Sequence, residues 1–311
     1  MQIYKSTAEH VWRVTATDDR IAALSSAGVV VWSRKTPEPE QVLPGRYDGH
    51  KSNLMASGDG IWLLGFNGDL LTCWRSSRAG WRLHFEESRP RFCTGQFSAD
   101  ANALLFVDLT DGSDGSVKFT LTTRELSVRA PKSKDRIAAT FPALPSAVAH
   151  GGSLHSRFWH ATDLTGNGQW YLVSAREKAL HIWHAVEGRY IGTVKLRGIP
   201  NEAKFSLDGL RFAVDVGTTV YIHQTATLEL VASWKVKHSY RPHLAWSPDS
   251  RLLARTDGST TVRLLDVESC LESVALTARD KGQLSSVAFA PDGLTFLVGT
   301  YNGSVVVWDI V

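Results

Sequence analysis

The chain has 311 residues, 43% apolar and 21% charged, which is ample core material for one large domain and excludes a disordered chain. A net charge of +3 excludes a nucleic-acid binder recognisable by charge alone. Three widely spaced cysteines, Cys73, Cys93 and Cys270, form neither a disulfide framework nor a CxxC zinc site, and they fit a reducing, cytoplasmic compartment.

The N-terminal MQIYKSTAEHVWRV lacks an apolar core of signal-peptide length. No run approaches the ~18 apolar residues of a membrane-spanning helix. In chain order, the first predicted elements are the short alternating segment Met1–Ser6 and an inner strand at Val11–Thr15. One grammar then recurs: an apolar-alternating strand, a polar turn rich in Asp and Gly, a strongly apolar strand, a second turn, and a strand ending near a bulky residue. RVTATDDRIAALSSAGVVVWSRK starts at Arg13, NLMASGDGIWLLGFNGDLLTCWRSS at Asn53, and GQFSADANALLFVDLTDGSDGSVKFTLTTRE at Gly95. DLTGNGQWYLVSAREKALHIWHAVEG starts at Asp163, EAKFSLDGLRFAVDVGTTVYIHQTATLE at Glu202, and HLAWSPDSRLLARTDGSTTVRLLDVES at His243. The last copy, SVAFAPDGLTFLVGTYNGSVVVWDIV, predicts strands at Val287–Phe289, Thr295–Gly299 and Ser304–Ile310.

Aligning the third strands places Trp32, Trp74, Thr120, Trp183, His223, Leu265 and Trp308 in register, with spacings of 42, 46, 63, 40, 42 and 43. A period near 42 built from short strands is that of a propeller blade. The one long interval is assigned to an insertion loop, Pro131–Ser156, between blades three and four.

Trp308-Asp309 in VVVWDI, with the FAPDG and WSPDS turns, resembles the WD40-repeat family over seven copies. The resemblance implies an all-β, seven-bladed propeller of four-stranded antiparallel blades, one domain over residues 1–311. It also implies that Met1–Ser6 supplies the outer strand of the last blade, covering the edge left open by the C-terminus; this closure is expected of a complete domain. The family's buried His–Ser–Trp–Asp network is incomplete here. Only Gly49-His50 supplies the expected Gly-His, and Val298 stands at the Ser position of the last blade, so Trp308 is expected to pack as a hydrophobe.

The resemblance further implies a non-catalytic platform for protein–protein interaction, an adaptor or regulatory subunit, without a cofactor. Blade-to-blade connections are expected to form a basic top face carrying Lys51, Arg89, Arg91, Arg129, Lys132, Lys134, Arg136, Arg157, Lys195, Arg197, Lys235, Lys237, Arg241, Arg279 and Lys281. The opposite turns hold Asp18, Asp19, Asp59, Asp100, Asp208, Asp249 and Asp292. Such a face attracts an acidic peptide or protein. Solvated loops would account for the same charges. The partner-binding candidates are Arg91, Phe92, Phe141, Leu144, His150, Arg157, Tyr240 and Arg241, because Arg and aromatic side chains anchor interfaces. The alternatives are nucleic-acid binding through the same face and an enzyme site at the channel mouth.

Catalytic and metal motifs give little. HGGS at His150–Ser153 has no GxSxG elbow to serve. His181 and His184 have opposite parity on a strand, and His155 and His160 lack ligating companions. DLTDGSDGS at Asp108–Ser116 spaces its acids too widely for a calcium loop and reads as a long turn.

Overall fold

The computed structural model describes residues 1–6, 8–45, 47, 52–89, 92–111, 117–127, 134–142, 161–174, 177–239, 242–257, 260–277 and 282–310. They form seven four-stranded antiparallel sheets. Blade one is β2 (Val11–Ala16), β3 (Arg20–Ser25), β4 (Gly28–Ser33) and β5 (Pro39–Leu43); blade two is β6 (Ser52–Ala56), β7 (Trp62–Asn67), β8 (Leu70–Ser77) and β9 (Gly80–Ser88). Blade three is β10 (Phe92–Phe97), β11 (Ala103–Asp111), β12 (Val117–Glu125) and β13 (Arg136–Pro142); blade four is β14 (Ala161–Leu164), β15 (Trp170–Ser174), β16 (Ala179–His184) and β17 (Arg189–Lys195). Blade five is β18 (Glu202–Phe205), β19 (Arg211–Asp215), β20 (Thr219–Gln224) and β21 (Leu230–Lys235); blade six is β22 (Leu244–Trp246), β23 (Leu252–Asp257), β24 (Thr261–Asp266) and β25 (Leu271–Thr277). Blade seven joins β26 (Leu284–Phe289), β27 (Thr295–Thr300) and β28 (Ser304–Asp309) to β1 (Gln2–Lys5). The chain divides into two compact units, residues 1–88 with 236–311, and residues 89–235.

The repeated polar turn is one hydrogen-bonded device. Ser57, Ser98, Ser206 and Ser247 each donate to the Asp two residues on, at 2.5–2.6 Å, and Thr165 bonds Asn167 at 2.7 Å. The same hydroxyls accept the N–H five residues on, so a short side chain replaces a missing ladder bond. Gly60, Gly168, Gly209 and Gly293 then take the left-handed conformation at φ 69–72°, which a side chain disfavours. Strands feeding these turns carry the core: Ile21, Leu63, Leu104, Tyr171, Phe212, Leu253 and Phe296 are all buried.

The N-terminal strand behaves as expected. Gln2–Lys5 pairs antiparallel with Ser304–Val307, and Tyr4, 2% exposed, enters an apolar cluster with Trp32, Val11 and Val305. Trp308 lies flat on Phe296 with centroids 5.3 Å apart, the hydrophobic packing expected in place of a polar network.

Two expectations about blade three are corrected. The residue equivalent to Trp74 and Trp183 is Arg124, not Thr120. Leu126 donates its N–H to Asn102, as Ser76 does to Ile61 and Ala185 to Gln169, and Arg124 pairs with Leu104 as Trp183 pairs with Tyr171. The cause is a longer hairpin: β11 and β12 have nine residues each, against five and six in β15 and β16. The supposed insertion is also partly a strand. Residues 136–142 are the outer strand of blade three, paired with Lys118–Thr123. Arg136 therefore opens the outer strand and Lys134 lies on the third-to-fourth-strand connection before it, at the edge opposite the blade-to-blade connections. The remainder of the insertion, apart from residues 134–135, lies outside the described residues.

Candidate interaction surface

Six of the eight residues proposed from sequence as partner contacts, Arg91, Leu144, His150, Arg157, Tyr240 and Arg241, lie outside the described residues. The other two are corrected. Phe92 is 0% exposed and packs edge-on against Phe106, with centroids 6.3 Å apart. Phe141 is 1% exposed in a cluster with Phe119, Tyr171 and Trp183. Burial of both rings stabilises blade three and leaves neither available to a partner.

Arg89, expected on the basic top face, is engaged within blade three. Its side chain is 11% exposed and crosses one face of blade three. It donates to Asp108 at 2.5 Å, to Asp135 at 2.5 Å and to Thr122 at 3.1 Å, and its guanidinium lies 4.3 Å from the Phe106 ring centroid. Arg124 donates to the second oxygen of Asp135 at 2.6 Å. Burial disfavours the Asp135 charge, but the two guanidiniums outweigh it and hold that carboxyl below the usual range. Arg124 thus fills a Trp position with a hydrogen-bonded network, which tertiary geometry alone reveals.

Other polar clusters are closed in the same way. Asp163, on the inner strand of blade four, accepts the Phe205 N–H at 2.8 Å and the Lys204 ammonium at 3.3 Å, joining blades four and five. Burial pushes its carboxyl above the usual range against the pull of both partners. In blade six, Arg255 is 0% exposed and donates to Asp257 at 3.1 Å and to the carbonyls of Lys237 and Thr256. Asp257 also accepts from Arg263 at 2.5 Å. His181 and His184 separate as their parity predicts: His181 bonds Glu177 and Tyr190, while His184 packs edge-on against Trp170. Among the described residues no group of three His, Cys, Asp or Glu could hold a metal ion.

Against these closed networks stands an open one. On blade four, Leu196 donates its N–H to the Lys178 carbonyl at 2.8 Å, and Ala179 pairs with Lys195. This single step of ladder brings Lys178, Lys195 and Arg197 to one edge, the edge of the second-to-third-strand turn and of the connection to blade five. All three are exposed, and none has an ion-pair partner among the described residues. Ile199, 48% exposed, follows on the same connection. Lys235 is exposed at the corresponding edge of blade five, its ammonium 3.1 Å from Thr219 Oγ1. Part of this cluster, Lys195, Arg197 and Lys235, was legible from sequence as connection charge. Lys178 was missed because only strand register brings a turn lysine to their edge of the blade.

Comparison with known proteins agrees with this architecture. Residues 270–309 match the WD40 family model, described as WD domain, G-beta repeat. The chain has the fold of a seven-bladed β-propeller, and its last repeat matches the WD40 model. The matched segment takes in β25 of blade six and the three C-terminal strands of blade seven, so the sequence repeat is offset from the blade by one strand. The crystal structure of the Cps50 (Swd1) β-propeller domain of Myceliophteria thermophila superposes over 100% of both chains with a TM-score of 0.73 at 14% identity, a likeness of fold. The sequence matches no curated protein. No helix among the described residues is long and apolar enough to cross a membrane.

Proposed function

We propose that this WD40-type propeller is a non-catalytic interaction platform, an adaptor or regulatory subunit, that holds the acidic segment of a protein partner at the basic edge of its fourth and fifth blades. The observation that carries the proposal is the unpaired cluster Lys178, Lys195 and Arg197. The charged networks around Arg89, Asp163 and Arg255 are internally satisfied, whereas these three cations have no ion-pair partner among the described residues. Like-signed exposed charge of this kind raises encounter rates with acidic surfaces and rejects basic ones. Ile199 beside them supplies an apolar contact that a purely electrostatic site lacks. The WD40 repeat in the last blade supports the platform role.

Affinity capture with the tagged protein, with and without nuclease, tests the proposal. A discrete protein that survives nuclease and disappears with Lys195→Glu/Arg197→Glu is the expected result. Recovery abolished by nuclease would replace the protein partner with a nucleic acid.

A further inference from the structure

The basic edge contains its own counter-ion. Glu177 directly precedes Lys178 on the second-to-third-strand turn of blade four. It does not pair with the lysines. Its Oε1 lies 2.8 Å from His181 Nε2, and His181 Nδ1 lies 3.0 Å from both the Tyr190 hydroxyl and Thr193 Oγ1. A carboxylate only accepts, so Nε2 carries the proton donated to Glu177, and the hydroxyls serve the other ring nitrogen. Tyr190 and Thr193 are hydrogen-bonded to each other as well. The imidazole, 8% exposed, is thus fixed at both ends.

We infer that His181 is a positioning residue: it sequesters Glu177 so that Lys178, Lys195 and Arg197 stay available to an anionic partner. The inference rests on the basic-edge reading above. Without His181, a Glu side chain one residue from Lys178 and opposite Arg197 in the continued ladder register becomes an intramolecular competitor for the acidic ligand. Competition of this kind works through charge, so it is relieved by removing the charge and not by restoring the fold.

The test is fluorescence anisotropy of a dye-labelled oligoglutamate peptide at low salt, against the full chain. His181→Leu should weaken binding by roughly threefold to fivefold, the size of one exposed ion-pair interaction. Glu177→Gln alone should bind as well as the native chain or better. The double variant Glu177→Gln/His181→Leu should recover that affinity. A double variant as weak as His181→Leu overturns the inference, because it would show His181 acting through structure alone. Should His181→Leu fail to fold, Glu177→Gln carries the test, and a several-fold loss in that variant is the overturning result. Native binding that is lost in Lys195→Glu/Arg197→Glu but unchanged in His181→Leu overturns this inference and leaves the platform standing. A native chain that does not bind the peptide overturns both.

Discussion

At the scale of single residues, the fold depends on close approaches that only particular side chains permit. A Cβ at Gly65 would stand 2.8 Å from the Tyr47 hydroxyl and 3.0 Å from the Trp74 ring, both parts of the core between blades one and two. Gly65→Ala should therefore destabilise by about 1–3 kcal/mol through overpacking, measured by urea denaturation. Asp163 separates two contributions. Asp163→Ala leaves the Phe205 N–H without its acceptor and should cost about 1–3 kcal/mol, while Asp163→Asn retains an acceptor. Because burial raises the folded-state value of this acid, the folded protein holds its proton over a range where the unfolded chain has released it. Its contribution to stability thus falls as pH rises through that range, and Asn should remove this slope. Denaturation midpoints from pH 4 to 7 check the sign; a steeper slope in Asp163→Asn would refute it.

At the scale of elements, β1 and β23 carry the clearest consequences. Deleting Met1–Ser6 strips β28 of its partner and removes buried Tyr4, so a loss of about 3 kcal/mol or more is expected, with self-association through the bared edge. Thermal unfolding with sedimentation reads both; an unchanged monomer would contradict the pairing. On β23, Asp257 holds two guanidiniums, Arg255 and Arg263, and is itself 3% exposed. Asp257→Ala leaves Arg255 buried without that carboxylate and should cost about 3–5 kcal/mol, against far less for the exposed Glu187→Ala. The elements of blades four to seven were legible because four-residue turns with Asp or Asn at the third position, apolar second strands and bulky third-strand positions recur at nearly constant spacing. Blade three was misaligned by four residues at its third strand for a definite reason. A hairpin lengthened on both strands moves the Trp position without altering local pattern, and the residue there, Arg124, is chemically unlike a Trp. The outer strand 136–142 was likewise hidden, since RIAATFP is exposed on its edge and ends in proline.

At the scale of the whole molecule, a small net charge conceals two kinds of charged group. Buried or half-buried ions such as Arg89, Asp135, Arg255 and Asp257 serve stability, whereas Lys178, Lys195 and Arg197 stand in solvent with no ion-pair partner among the described residues. The two roles should separate by mutation. Lys195→Glu/Arg197→Glu should leave stability within about 0.5 kcal/mol while abolishing capture of an acidic partner, which calorimetry and binding measured on the same preparation will show.

What the sequence by itself determined is the periodic part of the protein. Strand alternation, hydroxyl–carboxylate turns and the left-handed glycines are set by residues within a few positions of one another, so seven blades could be read from spacing, and the strand contributed by the N-terminus followed from the family resemblance that the repeats carry. What only the tertiary structure decided is which side chains meet. Phe92 and Phe141 were turned inward by blade packing, Arg124 was seated in a Trp position by an extended hairpin, and Lys178 was brought to the edge that carries Lys195 by ladder register. The burial of a ring and the pairing of a charge depend on groups distant in the chain, and local pattern carries no record of them.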